Sequence, residues 1–443
     1  MLFIFNHFVM PRFDYRDKAE TRHPVKNCFN WIPAFAGMTA LLNLITAMPV
    51  WPQTLSVSEC KNATTKMMDA GTSNVPPAIQ EVRRRVLDAD LNTLTFHNMD
   101  EIFWTRTVPR AGPVWQLPAR TTPLTFTYEF NGLKLTPDTF LERTYTNALL
   151  IMKNGVILTE IYRNNTGPQT RFISFSMAKS ITSMMIGLAL SEGHIGSLDD
   201  PIDKYIPELA NSAYSRVTIR QILQMRSGVD YEERYDFDNP GVAAANHNNS
   251  LVLNLTRFAD AACAVGARTE PGKVFEYKTL DTAVLGWLIE NATGMTASGY
   301  MASRIWEPLG AERDGYFIMD GPPGTGREFT GAGFNATLRD YGRLGQMMLD
   351  GGVANGRRIL PGDWVRLSTA PGYPETEADG YGLQWWTVAD TNAYYAVGLQ
   401  GQFIYIDPDS RTVVVKLSYF PPTDQTASQE ALAFMRAASA WRP

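Results

Sequence analysis

Cysteine and histidine are scarce in this chain: its 443 residues include three cysteines and five histidines. Cys28, Cys60 and Cys263 are too few and too scattered for a disulfide framework, and none sits in a Cys-x-x-Cys pair of the kind that holds zinc. They are expected to be packed or free thiols. His7, His23, His97, His194 and His247 lie in no recognisable motif. A Ser-His-Asp triad is therefore hard to assemble, and no His-Glu-x-x-His offers a metal site. Gly-x-Ser-x-Gly is missing as well, which removes the strand-to-helix nucleophile elbow. Positive charge is short: the net charge is -5, with no long basic run and no basic patch interleaved with aromatics. Nothing there suggests a nucleic-acid surface. No stretch reaches the ~18 apolar residues of a membrane helix. The partners left are small molecules, with no metal, no cofactor and no integral membrane segment expected; oligomeric state is left open.

What is present is a 44% hydrophobic chain, enough for a sizeable core. The first fifty residues fit poorly with the rest. "MLFIFNHFVMP" is apolar but short, and the charged run after it is patternless. "WIPAFAGMT" is similar to peptides translated from bacterial intergenic repeats, which places the expected start at Met38 or later. From there "TALLNLITAMPVW" is signal-like near 38–52, without a basic n-region or a clean small-x-small cleavage site. The compartment stays open between cytoplasmic and periplasmic or secreted. Residues 1–75 are read as an extension, with 60–75 a polar linker, and residues 76–443 as the functional domain.

"PPAIQEVRRRVLDADLNTLTF" predicts a helix opening at a proline pair, with Pro77 in its first turn. "NALLIMKNGVILTEIYRN" predicts a hairpin about Asn154-Gly155. "QFIYIDPDSRTVVVKLSYF" repeats that design near the other end, and "SQEALAFMRAASAWR" is an amphipathic closing helix. Between them, about 176–349 reads mostly helical. "KSITSMMIGLALSEG" is apolar nearly all round and should be buried, with Gly193 as its C-terminal cap. "TIRQILQM", "DTAVLGWLIENATG" and "LRDYGRLGQMMLDGG" read as further helices. One antiparallel sheet built from about 76–175 and 350–443, flanked by helices and carrying an all-α insertion, is an α+β architecture.

Ser176-Met177-Ala178-Lys179 places a serine and a lysine on one helical face, one turn apart. A serine hydroxyl is a weak nucleophile and needs a base beside it. Burial can make lysine that base: lowering its pKa from ~10.4 to ~7 takes about 4–5 kcal/mol of differential solvation. A helix start also leaves the Ser176 N–H free to act as half of an oxyanion hole. The same spacing occurs at Ser58-Glu59-Cys60-Lys61, and a helix cap with a lysine one turn on is the plain alternative. Lys179 stands out because its helix is otherwise so apolar that a lysine there must find a partner.

"FISFSMAKSITSMMIGLALSEGHIGSLDDPIDKYIPEL", "VTIRQILQMRSGVDYEERY", "PGKVFEYKTLDTAVLGWLIENATG", "GAGFNATLRDYGRLGQMMLDGG", "YGLQWW" and "GLQGQFIYIDP" together resemble the serine β-lactamase and penicillin-binding-protein superfamily. Within it the similarity is to class C-like serine hydrolases, the branch of esterases and 6-aminohexanoate-dimer hydrolases, over roughly 90–440. The resemblance implies an antiparallel sheet flanked by helices and joined to a helical part. It implies Ser176 as nucleophile, Lys179 as paired base, and Tyr277 in the place of the Tyr-x-Asn tyrosine that relays protons. Gly398-Leu399-Gln400-Gly401-Gln402 matches the strand beside the nucleophile, with Leu399 N–H as second oxyanion donor and Gly398 and Gln402 at the substrate. Tyr235 stands where the nylon-oligomer branch has a pocket tyrosine, and Trp386, with Trp385, is expected along the same cleft.

Two departures matter. Thr279 replaces the asparagine of Tyr-x-Asn, and Ala396 stands where a cation would bind a β-lactam carboxylate. Without that cation penicillins should bind poorly. The function expected is a serine hydrolase that cleaves an ester or linear amide through a covalent acyl-enzyme. A β-lactamase or D-aminopeptidase is the alternative, and a non-catalytic binding protein on the same scaffold is a further one.

Overall fold

A computed structural model describes residues 73–235, 239–371, 380–424 and 426–443, so the expectations for residues 1–72 lie outside the described residues. The sheet assembled from both ends of the chain is present. Its six strands run in the order Trp386–Thr387, Tyr394–Gly398, Gln402–Asp407, Thr412–Ser418, Thr146–Lys153, Val156–Tyr162, each pair antiparallel. The Asn154-Gly155 turn closes the N-terminal hairpin with φ of 50° and 77°, the left-handed pair a tight hairpin requires. At the other hairpin, Asp407 accepts from the N–H groups of Asp409 and Ser410 and from the Ser410 hydroxyl, which fixes the Asp-Pro-Asp-Ser turn.

Alternation along the strands divides the interior in two. Leu150, Val415, Ile404 and Ala396 line up across four strands and face the larger core. Ile151, Val414, Tyr405 and Tyr395, one residue out of step, face the other. The helix Leu338–Leu349 lies on the first face, where Gly342 and Gly345 let it close in: added Cβ atoms would meet Leu150 at 2.4 Å and Val413 at 2.6 Å. The C-terminal helix Ala427–Ala440 covers the second face, with Phe434 stacked on Phe140 at 3.8 Å between ring centroids.

Several expectations need correction. The helix read over Pro76–Phe96 stops at Arg84 and resumes only at Asn92–Thr95. Tertiary ties override its propensity: buried Arg83 donates to Ile102 O, Leu251 O, Val252 O and Asn254 Oδ1, while Arg85 pairs with Asp88 and Asp90 in the break. The middle is not helical throughout. Gly315–Ile318 and Phe334–Thr337 join Thr105–Val108 and Arg171–Ile173 in a second, four-stranded antiparallel sheet. Strands this short show no alternation that a sequence pattern could register. Cys263, expected as a thiol, is disulfide-bonded; Cys28 and Cys60 lie outside the described residues. Spacing in sequence carries no information on a bond made through the tertiary fold. No helix among the described residues is long and apolar enough to cross a membrane.

Candidate active site

The second sheet delivers the serine. Arg171–Ile173 pairs with Phe334–Thr337, the Ser174 N–H continues the ladder to Phe334 O at 2.7 Å, and the chain then turns sharply. Phe175 takes a φ of 42°, a left-handed conformation that costs a bulky residue free energy and points to a backbone held by its surroundings. The helix Met177–Ser191 begins at once, with Ser176 as its N-cap. The Ser176 side chain caps nothing, so its hydroxyl is available. Ser180 and Ser183, one and two turns on, donate to Gln384 O and Leu383 O and tie the helix to the neighbouring segment.

Lys179 is 1% exposed, and its Nζ has three oxygen neighbours: Ser176 Oγ at 3.0 Å, Thr279 Oγ1 at 3.0 Å and Gly331 O at 2.9 Å. Burial pushes its ammonium down to about 8, while the Glu233 carboxylate acts in the opposite direction. Gly331 must be glycine for this approach, since a Cβ there would meet Thr279 Cγ2 at 2.6 Å. Thr279 opens the buried helix Thr279–Thr293.

Tyr277 is half-buried, hydrogen-bonded to Ser176, with its ring centroid 4.9 Å from Lys179 Nζ. Burial pushes its phenol far up, the bond to Ser176 pulls it back in part, and Glu233 adds to the rise. The phenol therefore stays protonated at neutral pH. Trp386 stacks on Tyr277 with centroids 5.9 Å apart and an interplanar angle of 28°. Trp385 instead is buried in the larger core.

The strand Tyr394–Gly398 passes close to the Ser176 approach. A Cβ on Gly398 would lie 2.1 Å from Ser174 O, so only glycine lets strand and turn touch. Leu399 follows at the first position of the turn 399–401, half-buried. Ala396, two residues back and on the same face as Gly398, is buried in the larger core. Gln402 is placed differently from Gly398: 1% exposed, its amide donates to Leu399 O, Gln400 O and Ser418 O and accepts from Ser418 N–H, so it clamps the turn that carries Leu399.

Tyr235 joins the cluster through Glu233. Its hydroxyl donates to Glu233 Oε1 at 2.7 Å, and its ring meets His247 edge-on at 5.7 Å. Glu233 also accepts from Thr279 N–H at 2.7 Å on Oε2 and from the Thr279 hydroxyl on Oε1. Neither Glu233 nor Gly331 was singled out by sequence; "YEERY" holds three acidic or basic neighbours with nothing to rank them, and "GAGF" reads as a loop.

The arrangement presents a serine hydroxyl with a buried amine on one side and a protonated phenol on the other, which suits attack on a carbonyl and proton delivery to its leaving group. Comparison with known proteins agrees on the fold around it. A family model described as Beta-lactamase matches residues 141–435. The 6-aminohexanoate-dimer hydrolase of Paenarthrobacter ureafaciens is 33% identical over 300 residues, covering 64% of this chain and 75% of that protein. A Bacillus anthracis structure provisionally assigned as a 6-aminohexanoate-dimer hydrolase superposes with a TM-score of 0.71 at 25% identity, over 81% of this chain and 96% of that one. EstCE1, a hydrolase with promiscuous acyltransferase activity, shares the fold at a TM-score of 0.53 and 17% identity, over 67% of this chain and 94% of its own. With the family model spanning well over half its length, the chain belongs to the β-lactamase family, in the superfamily of serine hydrolases and penicillin-binding proteins.

Proposed function

We propose that the protein cleaves an ester or linear amide through an acyl-enzyme on Ser176. The observation that carries this reading is the 3.0 Å contact between Ser176 Oγ and a buried Lys179 whose ammonium is held down to about 8. In its neutral form Lys179 accepts the Ser176 proton as Oγ bonds to the substrate carbonyl carbon. The developing oxyanion is taken by the N–H groups of Ser176 and Leu399. The tetrahedral intermediate then breaks its bond to the leaving alcohol or amine. That group receives a proton from the Tyr277 phenol, which is replenished by the Lys179 ammonium. Water attacks the acyl-Ser176 ester with the same groups acting in reverse, and restores the free serine. Tyr235, Gly398 and Trp386 border the cleft in this reading, and Gln402 supports it by holding the turn.

The substrate class follows from what the cleft lacks as well as what it holds. Ala396 supplies no cation for a β-lactam carboxylate. One relative is named a 6-aminohexanoate-dimer hydrolase, which supports an open-chain substrate in this reading. The test is a panel of p-nitrophenyl esters, linear amides and nitrocefin run beside Ser176→Ala, with intact mass measured after fluorophosphonate treatment. The expected result is a single adduct lost in Ser176→Ala, with ester or amide turnover well above nitrocefin turnover. No adduct, together with equal rates in wild type and Ser176→Ala, would overturn the proposal.

A further inference from the structure

We propose that Glu233 is a positioning residue that acts through the Thr279 hydroxyl to aim the Lys179 lone pair at Ser176; this rests on the reading of Ser176 and Lys179 as nucleophile and base. A threonine hydroxyl has one proton, and Thr279 commits it to Glu233 Oε1. Toward Lys179 Nζ, 3.0 Å away, Thr279 Oγ1 can then only accept. Gly331 O, at 2.9 Å, can never do otherwise. Two of the three directions open to Nζ therefore carry hydrogens. The third faces Ser176 Oγ at 3.0 Å, and in the neutral amine it holds the lone pair. Were the Thr279 proton turned inward, Thr279 would donate to that lone pair and compete with Ser176 for it.

Glu233 holds this orientation from both oxygens. Oε2 takes the Thr279 N–H at 2.7 Å, while Oε1 takes the Thr279 hydroxyl and the Tyr235 hydroxyl. It also fills a structural need: the helix Thr279–Thr293 starts after Lys278, which supplies no side-chain cap. A carboxylate from 46 residues away does the capping. A cap alone would influence stability. Aiming a base would influence the rate and its pH dependence, and the two are separable.

The charged and titratable groups bearing on the pair are few. Lys179 meets Glu233 as its charged influence and the Tyr277 ring beside it. Glu233 in turn bears on Tyr231, Tyr235, Tyr277 and Asp281. Glu233 raises the Lys179 pKa, so its loss as a charge moves the lysine lower.

The experiment is kcat/KM for a p-nitrophenyl ester against pH, across the region of about 8 where Lys179 titrates, with melting temperatures, for wild type, Glu233→Gln, Thr279→Val and Thr279→Ser in the full chain. Thr279→Val should lower kcat/KM by about 10²-fold, the low end of what a positioned proton transfer contributes. Thr279→Ser keeps the hydroxyl and should restore most of that loss. Glu233→Gln should lower kcat/KM and move the ascending limb to lower pH. The inference is overturned if Glu233→Gln and Thr279→Val change only the melting temperature, leaving limb and rate as in wild type. If Glu233→Gln does not fold, the Thr279→Val and Thr279→Ser pair decides alone. Full activity in Ser176→Ala and Lys179→Met would instead bring down the underlying reading, a result distinguishable from failure of this one.

Discussion

Lys179 reaches Ser176 from one helical turn away, and in the proposed mechanism its environment determines when it acts as the base. Burial lowers its folded pKa to about 8 from the ordinary 10.5 of a free lysine side chain. Acylation should therefore speed up as pH rises through about 8, and Lys179→Met should lose about 10²–10⁴-fold in kcat/KM. A stopped-time ester assay across pH checks both. Stability changes with pH in the same direction. Between about 8 and 10.5 the unfolded lysine binds a proton that the folded one does not, so this residue's contribution grows with pH there, is fully present above the unfolded value, and is lost as pH falls through about 8. The span corresponds to at most about 3 kcal/mol. Urea melts of wild type and Lys179→Met across that window should diverge, wild type gaining with pH and the variant not. The Ser-x-x-Lys spacing was legible without coordinates because a helix brings positions i and i+3 together whatever surrounds it. Glu233 was not, because its role depends on meeting Thr279 across the fold.

At the scale of elements, glycines determine how closely the active-site parts approach. Gly398 lets the strand Tyr394–Gly398 touch Ser174 O, where a Cβ would come within 2.1 Å. If the Leu399 N–H serves as the oxyanion donor proposed above, Gly398→Ala should push strand and turn apart and misplace it, with a loss in kcat of about 10²–10³-fold, the value of one such donor. Steady-state kinetics on a folded variant, checked by circular dichroism, tests this. Gly187 lies in the Lys179 helix against the Trp364 ring, which an added Cβ would meet at 2.4 Å. Alanine improves helix propensity by about 1 kcal/mol. Overpacking against a ring costs typically 1–3 kcal/mol, and with three ring atoms within 2.5 Å the clash should win. Gly187→Ala is expected to lower stability in chemical denaturation despite the better propensity. The long helices and both hairpins were readable because local periodicity and turn chemistry dominate them. The second sheet was not, since its strands have three or four residues and draw their stability from partners far along the chain.

At the scale of the molecule, one sheet separates two cores: the helix that carries Lys179 packs into the larger one, and of the candidate site Trp386 packs against the other. Phe434, on the far side, is fully buried and stacked on Phe140, and the Arg143 guanidinium holds Glu430 of the same helix at 2.8 and 2.9 Å. Phe434→Ala should destabilise by about 3–5 kcal/mol while leaving kcat/KM at 25 °C near wild type. A denaturation midpoint measured beside an ester assay checks the separation; a comparable loss of activity in the folded variant would contradict it.

The chain by itself determined the strand and helix periodicities, the Asn154-Gly155 turn, the Ser176–Lys179 pair and, through its extended similarity, the family. Each of these depends on residues near one another in sequence or on a pattern spread along its whole length. Tertiary structure alone decided that Glu233 meets Thr279, that Gly331 O faces Lys179, that Gln402 serves the turn, and that Arg83 ends a helix early. Those outcomes depend on which distant groups burial forces together, because a buried polar group must find a partner and local sequence does not say which.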